Sequence, residues 1–190
     1  MGPAACPAST LGETLESGKR KPEEGQLGGS MEDERPTIRV APWMHVITPG
    51  GGLPLDELLP ASGSVYVARL NGREMPDEVS AFQHFSEVLK FPDYFGWNWH
   101  AFYDCVRDLE WLSAENRILI IESAESALAE DSDARRLLFE SLWRAGRRWS
   151  YTKHPEGVTL TKLSVVLSCD RNFASTLAGQ FEGWEEQPHW

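Results

Sequence analysis

Cysteine is scarce in this 190-residue chain, and its scarcity removes two architectures at once. Cys6, Cys105 and Cys169 are odd in number and far apart, with no CxxC pair. Neither a disulfide framework nor a zinc site is therefore expected. Positive charge is also short: 18 Lys and Arg stand against 29 Asp and Glu, a net charge of −11. A nucleic-acid binder needs a basic face to neutralise phosphates, so nucleic acid is not expected as a partner; the charge fits a basic protein partner, or nothing more than solubility. No apolar run is long enough to span a bilayer. Residues 1–11 lack a basic segment followed by a long apolar one, so no secretory signal is read there. The expected location is the cytoplasm, with no membrane partner. Enzyme signatures are missing too, since no GxSxG or HExxH occurs. His45, His84, His100, His154 and His189 are scattered, and each is read as solvated or packed rather than catalytic. His100 and Asp104 alone lack the third and fourth ligands of a metal site. No metal, cofactor or catalytic residue is assigned.

What is present suffices for a core, with 41% hydrophobic residues. Residues 1–36 mix Gly, Pro, Ser, Glu and Lys and read as a disordered tail. Met31, just before Glu32-Asp33-Glu34, is a candidate alternative start. Residues 37–63 read as an N-terminal extension, with one or two strands around Ile38, Val40, Trp43 and Val46. Gly50-Gly51-Gly52 is a flexible break and not a phosphate cradle, because no GK and no strand–helix context surround it. Residues 53–59 suggest a short helical turn.

From Ser64 the periodicity sharpens. A β-branched strand over 65–70 closes at Asn71-Gly72 in a hairpin-type or tight turn. Asp77 or Ser80 can cap a helix carrying Phe82, Phe85, Val88 and Leu89, which Pro92 ends. Asn98 is placed to cap a second helix to about Leu109, with Phe102, Cys105, Val106 and Leu109 inward. A buried strand follows over 117–122, then a brief helix over 123–128. Asp131 or Asp133 caps a long helix with Leu137, Leu138, Leu142 and Ala145 inward. A polar turn at 153–157 and a last buried strand over 162–168 complete the series. Residues 169–190 form a C-terminal tail whose Phe181, Trp184 and Trp190 either dock on the body or stay free. Helical crossovers between like-directed strands predict an α/β fold, a small three-stranded parallel sheet with packed helices over 64–168.

The richest stretch is Phe91-Pro92-Asp93-Tyr94-Phe95-Gly96-Trp97-Asn98-Trp99-His100-Ala101-Phe102-Tyr103-Asp104-Cys105. It is too aromatic for an ordinary surface loop and too polar for a buried one. Phe95 and Trp99 are expected to pack, Tyr94 and Trp97 to be exposed. An aromatic platform beside a carboxylate is suited to gripping a cationic partner. His100, Tyr103, Asp104 and Arg107 make a polar face opposite the Phe102, Cys105 and Val106 stripe.

These residues resemble the barstar family, intracellular inhibitors of the secreted ribonuclease barnase. The likeness lies in Val67-Ala68-Arg69-Leu70-Asn71-Gly72, in Phe91 to Asn98, in Ala101 and Tyr103-Asp104-Cys105, and in the strands over 118–121 and 163–168. It covers roughly residues 64–168. The resemblance implies a barstar-like fold and a binding protein, not an enzyme, that plugs a ribonuclease active site as a monomer. It implies partner contacts at Tyr94, Gly96, Trp97, Asn98, His100, Tyr103, Asp104 and Asp108, with Asp104 in the place of a substrate phosphate. Two positions depart from the family pattern. His100 stands where the family has a second acid, and Arg144, with Glu140 close by, stands where it has an acid on the last long helix. The expected partner is a basic secreted ribonuclease or a related toxin. The alternative is an immunity or regulatory protein on the same fold with a different basic partner.

Overall fold

A computed structural model describes residues 37–48, 63–151 and 162–184. The tail over 1–36, Cys6, the turns at 53–59 and 153–157, His154, His189 and Trp190 lie outside the described residues. Strands β1 (Thr37–Ala41), β2 (Met44–Ile47), β3 (Val65–Asn71), β4 (Asn116–Glu122) and β5 (Lys162–Ser168) form one sheet in the order β1-β2-β5-β4-β3. Helices α1 (Glu78–Leu89), α2 (Trp99–Asp108), α3 (Ser132–Tyr151) and α4 (Arg171–Gly179) accompany it.

The parallel core β3-β4-β5 and the mixed α/β class match the sequence reading, but the sheet has five strands and not three. β2 joins β5 in parallel, from Met44 opposite Val165 to Ile47 opposite Ser168, and β1 adds antiparallel to β2. The physical reason lies in β5. It is buried from Leu163 to Leu167, and an open ladder beside such a strand would leave unpaired amides and carbonyls. β2, wholly buried, fills that edge. Its four residues are too short to show a period, so the sequence pattern did not place it.

Alternation along the strands sorts the core. Ala68, Leu70, Leu119, Ile121, Leu163, Val165, Leu167, Met44 and Val46 join the inward faces of all four helices in one cluster. Ile47, Ile118, Ile120 and Val166 form a small second cluster. Arg117, inside a strand read as apolar, is buried by donating to the Leu112 carbonyl at 2.8 Å and lying over Trp149. Trp43 and Trp143 are buried, and Trp111 and Trp149 are half-buried packing residues.

The local signals at the ends of elements hold. Asp77 caps α1 by accepting from the Ser80 amide at 2.8 Å. That bond holds its carboxyl below the ordinary value. Asp131, rather than Asp133, caps α3, accepting from the amides of Asp133 and Ala134. Asn71-Gly72 makes a tight 3-10 turn at the end of β3 and not a hairpin. A Cβ on Gly72 would collide with the Ser123 carbonyl oxygen, so only glycine lets these two turns meet. The C-terminal tail docks: Phe181 is buried and stacks on Trp143 at 5.7 Å, with Trp184 against both.

Candidate functional site

The loop between α1 and α2 is held from beneath by its own aromatic residues. Phe91, Phe95 and Phe102 are buried and meet edge to face, with Phe91 5.0 Å from Phe95 and 6.0 Å from Phe102. Phe82 of α1 packs on Phe95, Trp99 and Phe102. This cluster fixes both helices and the loop as one rigid piece, since such pairs add to simple area burial.

Asn98 then sets the entry to α2. Its Oδ1 accepts from the Ala101 amide at 3.0 Å, and its Nδ2 donates back to the Gly96 carbonyl at 2.9 Å. One side chain thus caps the helix and closes the loop. Gly96 is tightly placed, because a Cβ there would lie 3.1 Å from Asn98 Nδ2. Trp99 donates from Nε1 to Glu78 at 2.7 Å, tying the first turn of α2 to that of α1. Sequence reasoning missed Glu78, since no spacing rule links residues so far apart on two helices.

Tyr94 and Trp97 stand out of this frame, 75% and 54% exposed, as the sequence reading had it, while Phe95 is buried and Trp99 half-buried. Trp97 carries a φ of 51°, a left-handed conformation that a bulky L-residue rarely adopts. Its ring lies 5.1 Å from that of Phe95. An exposed tryptophan held on a strained backbone is a costly surface feature with no role in the core.

His100, Asp104 and Asp108 are exposed along α2, one turn apart, and Tyr103 is half-buried beside them. The first turn of α2 has no acid, while Asp108 is its last residue, where the macrodipole disfavours it. That placement opposes helix stability. Arg107 pairs with Asp104 at 3.2 Å, and Arg144 of α3 lies 4.6 Å from the centre of the Tyr103 ring. All eight positions named from the sequence therefore sit on one loop and the helix it opens. Burial, and after it Asp104 and Asp108, push the Cys105 thiol up to about 11, so beneath this face it stays protonated at neutral pH. Among the described residues no group of His, Cys, Asp and Glu could hold a metal ion, and no helix is long and apolar enough to cross a membrane.

The fold and the site together define a small α/β domain with a mainly parallel sheet that presents an aromatic loop and an acidic helix at its surface. Residues 65–161 match the family model described as Barstar (barnase inhibitor), just over half of the chain, and the chain belongs to the barstar family. No curated protein matches it.

Proposed function

We propose that this chain is an intracellular inhibitor of a basic secreted ribonuclease or related toxin, acting as a monomer that docks residues 91–98 and α2 into the enzyme's cationic active site. The observation that carries the reading is Trp97, exposed on a left-handed backbone in the same loop as exposed Tyr94, directly before the helix that carries exposed Asp104. Tyr94 and Trp97 serve as aromatic anchors, which dominate interface energies when they fill pockets. Gly96 and Asn98 set the loop. Asp104 is the anionic centre, with Asp108, Tyr103 and His100 completing the contact. The net charge of −11 speeds encounter with a basic enzyme. The protein itself performs no catalysis in this reading.

Asp104→Ala tests it. Removing one member of a charge pair that becomes desolvated in the complex costs about 2–5 kcal/mol of affinity. Inhibition of a small basic ribonuclease should fall by the corresponding factor, and undiminished inhibition would overturn the role of Asp104. A second reading, an immunity or regulatory protein for a different basic partner, draws on His100 and Arg144, which put no carboxylate one turn before Asp104 or over Tyr103. Affinity capture from lysate and culture supernatant separates the two by whether a small basic nuclease is recovered.

A further inference from the structure

The chain is strongly acidic, yet the surface around Tyr103 is not. Two guanidinium groups flank that ring, Arg144 of α3 at 4.6 Å and Arg107 of α2 at 5.6 Å. Arg107 already has an acid, Asp104, at 3.2 Å. Arg144 is served less well. Among the described residues it pairs with Glu140 at 3.9 Å, a carboxylate shared with Arg136 at the same distance. Arg136, Glu140 and Arg144 thus form a stripe one turn apart on α3 that carries one more cation than anion.

Docking changes the energetics of this pattern. In water the exposed half of the Arg144 side chain is solvated and costs nothing. Under a partner it loses water, and a shared carboxylate near 4 Å is a poor replacement. Against a wholly cationic surface it would also meet like charge, which costs several kcal/mol. Asp104, the residue after Tyr103, is exposed and among the described residues is held only by the Arg107 pair, so under a partner it calls for a cation.

We infer that the face on α2 and α3 is built for a protein with a bipolar surface, a cation opposite Asp104 and a carboxylate opposite Arg144 of the neighbouring helix. The inference rests on the docking reading above. Arg144 is then a specificity residue that turns away enzymes whose active-site mouth is basic throughout.

Barnase serves as the probe, with inhibition measured for the full chain and for Arg144→Glu, Arg144→Gln and Asp104→Ala, each checked for its native circular dichroism. Arg144→Glu should inhibit at least tenfold more tightly than wild type, with Arg144→Gln between them. Replacing single Arg or Lys residues around the barnase active site by Glu should reveal one variant that the wild-type chain binds more tightly and Arg144→Glu less tightly. If Arg144→Glu leaves inhibition unchanged or weakens it while Asp104→Ala abolishes it, the bipolar partner is wrong and the docking face stands. If Asp104→Ala has no effect on a measured inhibition, the docking reading falls and the inference with it; if Arg144→Glu does not inhibit at all, the bipolar partner is wrong.

Discussion

At the scale of the residue, Trp97 separates function from stability. A left-handed φ costs a bulky L-residue about 1–2 kcal/mol, and glycine adopts it freely. Trp97→Gly relieves that strain while losing the contact with Phe95 and gaining chain entropy in the unfolded state. Urea unfolding should place its stability within about 1 kcal/mol of wild type, whereas affinity for the target ribonuclease should fall at least tenfold. A variant that binds as wild type would show that Trp97 is not an anchor. The role of Asn98 was legible in the sequence, because an Asn before an apolar helical run is a cap whatever surrounds it. The backbone of Trp97 was not. Nothing in residue type predicts a tryptophan at positive φ; it follows from the buried Phe95 on one side and the Asn98 clamp on the other.

At the scale of the element, α3 carries its own test. Gly146 lies in its interior, where Ala is ordinarily favoured by about 1 kcal/mol. Here a Cβ would run into the Trp43 ring. Trp43 is itself held edge to face against Trp143 at 5.4 Å and Tyr151 at 5.7 Å, and cannot retreat. Gly146→Ala should therefore destabilise by about 1–3 kcal/mol, the cost of overpacking. A raised thermal midpoint would show that the contact is soft. Helix periodicity made the α1, α2 and α3 cores legible: Phe82, Phe85, Phe102, Leu138 and Leu142 are all buried. Leu137, expected inward, is only half-buried, and Phe139 and Trp143 take the space beneath α4 and Phe181 instead. The periodicity of α3 could not anticipate that second neighbour.

At the scale of the molecule, the sheet decides which residues belong together. The family match begins at residue 65, yet β1 and β2 lie before it and close the β5 edge. They also bring Trp43, Met44 and Val46 into the main core. A chain beginning at Gly63 exposes the ladder of β5 and leaves a gap over α3. It should lose its cooperative thermal transition or self-associate, as followed by circular dichroism and light scattering. A monomeric chain with the wild-type melting profile would show that the two strands are dispensable.

The sequence by itself determined the α/β class, the cap at Asn98, the exposure of Tyr94 and Trp97, and the one stretch that carries the site. These follow from local rules, residue preference at helix ends and the period of apolar positions, which act over a few residues. Only the tertiary structure decided that β2 completes the sheet, that Gly146 makes room for Trp43, and that Arg144 lies over Tyr103 beside Asp104. Those depend on segments distant in the chain, where packing and charge act through space and leave no period to read.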